Sequence, residues 1–171
     1  IISFLGDDVH LSNGGYQDPN YLISNIKIDD KDSYFYNYYN RNTNKYDLEI
    51  VKDEKDSYIE FDFGEKKIDL CSYFIRSNCC GSGLFHSKSW MMMGSNENGN
   101  DAKWEPLDIR FKENALNGVY HEFHFICQQS KYGNIHNRFR YIRFYQKDSW
   151  NDTNKYNIYL TYFELYGDIY D

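Results

Sequence analysis

Apolar and polar residues alternate with a period of two along the second half of the chain. In the run SYIEFDFG, residues 57–64, every second side chain is apolar, and these side chains are Ile59, Phe61 and Phe63. An alternation of this length, closed by a glycine, predicts a β-strand with one buried face. We therefore expect these three residues in the core and the intervening polar residues in solvent.

Further runs of this kind follow, each bounded by Gly, Asn, Asp or Ser residues. They cover residues 68–77, 89–95, 103–111, 119–127, 138–146 and 157–167. No stretch keeps a helical period beyond about two turns. Many short strands separated by turns predict an all-β sandwich or barrel. The first 56 residues are polar and weakly periodic, so we expect irregular structure with short strands there.

The run SWMMMGS contains four large side chains in a row, which would alternate between the two faces of a strand. A strand here places Trp90 and Met92 on one face and Met91 and Met93 on the other. At least one of these pairs must contact something other than water, and methionine in such a place is expected to fill gaps in packing.

The composition of the chain indicates its size class and restricts the kinds of partner that it can bind. The 171 residues are about one domain's length, and aromatic residues make up 19% of them, which favours strands. The net charge of −7 disfavours nucleic acid and anionic lipid surfaces. No apolar run approaches the roughly 18 residues of a membrane span, so we expect no membrane insertion. Because the chain begins without Met, we expect it to be a fragment of a longer protein.

The four cysteines are expected to be reduced thiols. Cys79 and Cys80 are adjacent, which is too short for an ordinary bridge, and neither they nor Cys71 and Cys127 match a zinc-binding spacing. Reduced thiols suit a reducing compartment, which favours a cytoplasmic location.

The residues indicate no catalytic site and no transition-metal site. In the run HEFHFIC, a strand would point His121 and Cys127 to one face and His124 to the other, so they cannot bind one ion. Neither GxSxG nor HExxH occurs, and no Ser-His-Asp set is apparent.

The run RFRYIRF interleaves arginines with aromatic residues, as some nucleic-acid strips do. The acidic chain offers many carboxylates to Arg138, Arg140 and Arg143. We therefore interpret these arginines as structural.

The order of landmarks between residues 57 and 169 resembles a known family. The segments YIEFDFGEKKIDLCSYFIRSN, HSKSWMMMGSNENGNDAKWEPLDIR, ALNG, RFRYIRFYQKDSWN and YLTYFELYG are similar to the discoidin domain, also called the coagulation factor 5/8 type C domain, of the galactose-binding-like superfamily. The resemblance implies that residues 1–171 form a single domain, an eight-stranded antiparallel jelly-roll β-sandwich. It also implies that Trp90 and Trp104 flank a turn and anchor the sandwich.

Details of the resemblance point to the intracellular branch of the family, in which the domain accompanies BTB, kelch, kinase or HECT ubiquitin-ligase modules. The runs HSKSW and FELYG are similar to that branch, and the terminal cysteines that the secreted branch joins in a disulfide are missing. Some sugar-binding relatives hold a structural calcium ion where this chain has Asp29, Asp30 and Asp32. A calcium site or a solvated acidic loop both fit these residues.

Two functions fit the resemblance. The first is a non-catalytic interaction module that docks a protein partner, through strand-end loops, within a larger cytoplasmic assembly. The alternative is a lectin-like module for galactose-type glycans, in which an aromatic ring stacks on the sugar while polar side chains bind its hydroxyls. The loops at 77–88 and 146–156 carry the candidate ligand-binding residues Trp150, His86 and Asn78. Leaving Trp150 exposed costs free energy unless it packs or binds.

Overall fold

The computed structural model describes most of the chain from residue 58 onward and short strands before it. The described backbone covers residues 2–3, 25–28, 34–40, 45–51, 58–99, 101–128, 138–153, 155–156 and 158–171, and side chains are described within the ranges from 58 onward, except that of Thr161. The candidate calcium ligands Asp29, Asp30 and Asp32 lie outside the described residues.

Eleven strands form in the described residues. They are β1 (Ile2–Ser3), β2 (Asn25–Ile28), β3 (Tyr34–Asn40), β4 (Lys45–Val51), β5 (Tyr58–Asp62), β6 (Lys67–Ser77), β7 (Ser87–Ser95), β8 (Glu105–Arg110), β9 (Glu122–Ile126), β10 (Tyr141–Ser149) and β11 (Ile158–Tyr170). Four of them lie in the first 56 residues, where irregular structure with short strands was expected, and the number of strands exceeds the expected eight.

The strands form two antiparallel sheets. One has the order β3-β4-β11-β6-β9, with β1 also paired to β11, and the other has the order β2-β5-β10-β7-β8. From β5 to β11 every connection except the β7–β8 turn passes from one sheet to the other, as in a jelly roll. The prediction of an all-β antiparallel jelly-roll sandwich is confirmed. Within the described residues, no helix has the length and apolar character that a membrane span requires.

Aromatic side chains from both sheets meet between them. The residues predicted to lie in the core or to anchor the sandwich, Ile59, Phe61, Phe63 and Trp90, are at most 3% exposed, and Phe163 on β11 is fully buried beside them. The ring of Phe163 lies 5.5 Å from Phe61 and 5.6 Å from Phe144, which joins the six-stranded sheet to the five-stranded one. Burial of each such side chain contributes roughly 1.5–3 kcal/mol. The core prediction is confirmed.

The polar face of β5 differs from its prediction. Glu60 and Asp62 were expected in solvent, but they are 1% and 5% exposed. The Nε atom of Arg143 lies 2.6 Å from Glu60, and that of Arg140 lies 2.9 Å from Asp62, so each carboxylate has a guanidinium partner on β10 or just before it. The structural interpretation of these two arginines is therefore confirmed, and the prediction of a solvated face is wrong because neighbouring side chains cover it.

Candidate functional site

The candidate site lies at the end of the sandwich where β6 and β10 finish and β7 begins. We call it the loop end and define it as residues 78–88 and 146–153. Its two segments are joined by the backbone N–H of Trp150, which donates to the carbonyl of His86 at 3.0 Å. The structure thus brings together two loops that are about 60 residues apart in the sequence.

Asn78 and His86 shape this end from inside. Asn78 is 4% exposed, and its Oδ1 accepts the backbone N–H of Cys80 at 3.0 Å. His86 is fully buried, and its Nε2 lies 2.7 Å from the carbonyl oxygen of Cys80 and 3.0 Å from that of Gly81. Because two carbonyls can only accept, Nε2 carries the proton and donates to them. Both side chains therefore hold the 78–86 loop, and their contact with a ligand stays a prediction.

The environment of His86 keeps its ring neutral. Burial lowers its pKa, the hydrogen bonds to the Cys80 and Gly81 carbonyls oppose this by raising it, and the nearby His121 lowers it. The net change is downward, so Nδ1 is left as an unprotonated acceptor.

Trp150 is half-buried and lies beside an ion pair that the sequence did not single out. Lys88 Nζ lies 5.2 Å from the centre of the Trp150 ring and 3.1 Å from Asp148 Oδ2. Ammonium groups at such a distance are attracted to an indole face. The three side chains form a small surface that combines an apolar ring, a donor and an acceptor.

Unmet hydrogen-bonding capacity is concentrated here. Seven buried side-chain polar atoms have no hydrogen-bond partner among the described residues, and five of them belong to the loop end, namely His86 Nδ1, Ser87 Oγ, Gln146 Oε1, Asp148 Oδ1 and Trp150 Nε1. The pairing of Ser149 with Ser87 and of Asp148 with Ser89 places these atoms on two adjacent strand ends. Buried polar atoms nearly always have a partner, so such a group marks a place for polar contacts.

The chemistry of these five atoms is mostly that of acceptors. Gln146 Nε2 donates to the carbonyl of Asp148 at 3.0 Å, which leaves its Oε1 as an acceptor. The His86 Nδ1 and the Asp148 carboxylate oxygen also accept, the Trp150 indole N–H donates, and the Ser87 hydroxyl does both.

Outside the loop end, the two described histidines, His121 and His124, and the thiol of Cys127 form no comparable site. His121 lies just before strand β9. The Nε2 atom of His124 lies 2.7 Å from Ser72 Oγ, and the His124 ring lies against the ring of Tyr166. Burial and the Asp108 carboxylate raise the pKa of the Cys127 thiol, which disfavours the nucleophilic thiolate. No group of three or more His, Cys, Asp or Glu side chains is placed to hold a metal ion in the described part of the chain.

Comparisons with known proteins give likenesses among solved structures. No family model and no curated protein matches the chain. A putative chitobiase fragment from Bacteroides thetaiotaomicron is 18% identical at a TM-score of 0.49, covering 71% of this chain and 68% of its own. The carbohydrate-binding module CBM32-3 from a family 31 glycoside hydrolase of Clostridium perfringens is 14% identical at 0.48, covering 85% and 92%. The module GH31 CBM32-2 bound to GalNAc is 14% identical at 0.48, covering 84% and 98%.

The assignment of this chain to an antiparallel β-sandwich rests on its own two sheets.

Proposed function

We propose that the chain is a non-catalytic carbohydrate-binding module that holds a galactose-type sugar at the loop end. The observation that carries the proposal is the half-buried Trp150 ring with the Lys88–Asp148 ion pair beside it, at an end of the sandwich where five buried polar atoms have no partner among the described residues. Sugars present hydroxyl groups around a ring with apolar faces, and their binding sites combine a few placed polar groups with an aromatic surface. The solved modules named above agree with this proposal, which rests on the loop end itself.

The positions of Trp150, Lys88 and Asp148 define how the sugar would be held. The indole supplies apolar area, and the ion pair between Lys88 and Asp148 at 3.1 Å supplies a donor and an acceptor in fixed positions. In this proposal Asn78 and His86 act by positioning the loop, since their buried side chains already bond its backbone.

A glycan array followed by calorimetric titration with galactose and N-acetylgalactosamine tests the proposal. Trp150→Ala is expected to weaken binding at least about tenfold, because the aromatic contact is lost. Asp148→Asn keeps the size of the side chain and is expected to weaken binding with little effect on folding. The matched control is Phe123→Ala, which removes a half-exposed aromatic ring on the other sheet, outside the loop end. Absence of binding across the array would refute the proposal.

A second candidate function is protein docking within a larger cytoplasmic assembly. Protein docking is favoured by exposed apolar side chains on the side of the sandwich where β8 and β9 meet. There, Arg110 Nη2 donates to the carbonyl of Ile126 at 2.9 Å, which joins the two strands. Phe111 is 76% exposed and Ile126 71%. Exposed apolar groups that lie together are typical of protein-contact surfaces. The test is affinity capture from cell extract, in which Ile126→Asp should abolish capture while Trp150→Ala should not.

A further inference from the structure

We propose that the ligand is a chain of several sugars, which extends from the loop end along the outer face of the five-stranded sheet. This inference rests on the proposed carbohydrate function. It is carried by a second group of side chains, which we call the aromatic strip and define as Tyr58, Trp104, Arg143 and Tyr145.

One guanidinium holds all three rings of the aromatic strip. The centre of the Arg143 guanidinium lies 4.0 Å from the Tyr58 ring and 4.0 Å from the Trp104 ring. Its Nη1 donates to the hydroxyl of Tyr145 and its Nε to Glu60. The rings also contact each other, since Tyr145 lies 5.2 Å from Tyr58 and 6.4 Å from Trp104, edge to face with the latter.

Strand pairing places the strip across the outer face of the sheet. Tyr145 is opposite Tyr58 on one neighbouring strand and opposite Met91 on the other. The adjacent Phe144 is fully buried, so Tyr145 lies on the opposite, outer face. The three rings are half-buried and their partners fix their positions. Contact with a fixed ring loses little side-chain entropy, which favours binding.

The ion pair between Arg143 and Glu60, which lies beneath the rings, holds the guanidinium in position. The side chains of Arg143 and Glu60 are 11% and 1% exposed. Buried ion pairs add little stability over well-packed apolar residues, because removing both charges from water opposes their attraction. What the pair does supply is a fixed guanidinium that orients the three rings.

Strand β10 connects the strip to the loop end. From Arg143 the strand passes Tyr145 and Lys147, whose Nζ lies 5.2 Å from the Tyr145 ring, and it leads directly to Trp150. The five residues from Tyr145, the nearest member of the strip, to Trp150 span roughly 17 Å at about 3.3 Å each, which is more than the width of one sugar ring. A single sugar at Trp150 cannot reach the strip, whereas a chain can.

The inference is tested by titrating the 171-residue chain with galacto-oligosaccharides of one to six units. A parallel titration uses N-acetylglucosamine oligomers of the same lengths. For the wild type, affinity should rise at least about tenfold between the one-unit and the six-unit ligands of a series that binds. Trp104→Ala should abolish that rise and leave the one-unit affinity unchanged. Phe123→Ala, which removes a half-exposed ring on the other sheet, is the control and should change neither value.

Tyr145→Ala provides a second test if Trp104→Ala melts early. An affinity that does not depend on chain length, or a dependence that survives both variants, would overturn the inference while the single-sugar function stands. If neither series binds to the wild type, the inference and the proposed function fail together.

Discussion

A chain of hydrogen bonds inside the core links side chains from three strands. The indole N–H of Trp90 donates to the hydroxyl of Tyr73 at 2.8 Å, and that hydroxyl donates to Asp108 Oδ2 at 2.7 Å. Arg110 Nε also donates to this carboxylate. Burial of Tyr73 and the Asp108 carboxylate raise the pKa of Tyr73, so its hydroxyl stays protonated. These hydrogen bonds join the two sheets through buried polar groups, while the second carboxylate oxygen of Asp108, Oδ1, has no partner among the described residues.

The first prediction concerns this chain of hydrogen bonds. Tyr73→Phe should lower the free energy of unfolding by about 1–3 kcal/mol, because the indole N–H and the carboxylate each lose a buried partner. Trp90→Ala should cost about 3–5 kcal/mol, since it also leaves a cavity. Urea denaturation measures both. An equal effect of the two variants would show that the Tyr73 hydroxyl, and not the volume of the Trp90 ring, accounts for the stabilisation.

The second prediction concerns the buried ring of His86. An unfolded histidine binds a proton near pH 6.5, whereas burial keeps the native ring neutral to lower pH. Below about pH 6.5 the unfolded state therefore binds more protons, so stability falls as the pH falls, by up to about 1.4 kcal/mol per pH unit. Urea midpoints between pH 8 and pH 5 should show this slope in the wild type and in the exposed-residue control His124→Gln. His86→Gln should flatten this pH dependence of stability. An unchanged slope would show that a group other than His86 causes it.

At the scale of elements, a glycine allows the close approach of the two longest strands. The register between β6 and β11 shifts between Tyr166 and Gly167, which marks a β-bulge. A Cβ atom at Gly167 would overlap the backbone carbonyl of Asp69 on the neighbouring strand. Backbone atoms cannot move aside as a flexible side chain does, so this position requires glycine.

The third prediction follows from that contact. Gly167→Ala should lower the free energy of unfolding by about 3 kcal/mol or more, at the upper end of what overpacking costs. Gly81→Ala is the control, because its new Cβ would lie 4.0 Å from the nearest atom on an exposed loop, and its effect should stay within about 0.5 kcal/mol. Thermal and urea unfolding of the two variants measure the difference. Similar stabilities would show that the bulge relaxes.

The strands also show which elements a sequence pattern reveals. The alternating runs at 68–77 and 157–167 correspond to Lys67–Ser77 and Ile158–Tyr170. Strand β3 was missed because YFYNYYN is aromatic at almost every position, and tyrosine suits either face of a sheet, so no period of two appears. The solvated face predicted for β5 failed for a different reason, since its cover comes from arginines about 80 residues away.

For the candidate site, sequence reasoning found the loops but not their interior. Trp150 and His86 are brought together as expected, and the N–H of Tyr120 donates to the carbonyl of Asn78 at 2.9 Å, which ties this end to a third loop. The burial of Asn78 and His86 depends on such long-range contacts, which no local pattern carries. Lys88 and Asp148 were missed because each is an ordinary charged residue until the register of β7 and β10 makes them neighbours.

At the scale of the whole molecule, stability rests on a core shared by the two sheets. Buried apolar residues of both sheets form one cluster, which includes Trp90, Phe144 and Phe163. All four cysteines lie in the described part of the chain and are free thiols, Cys71 and Cys79 exposed and the other two partly buried. A core of this kind holds the sheets together without covalent links between them.

The last prediction is that reducing agent leaves the protein as stable as before. Melting in the presence and absence of dithiothreitol should agree within about 2 °C, which for a domain of this size corresponds to less than about 1 kcal/mol. Alkylation of the denatured, unreduced chain with iodoacetamide, followed by mass spectrometry, should modify all four cysteines. A drop in melting temperature of about ten degrees on reduction would reveal a disulfide worth several kcal/mol. That result would also remove the argument for a reducing, cytoplasmic location, because that argument depends on free thiols.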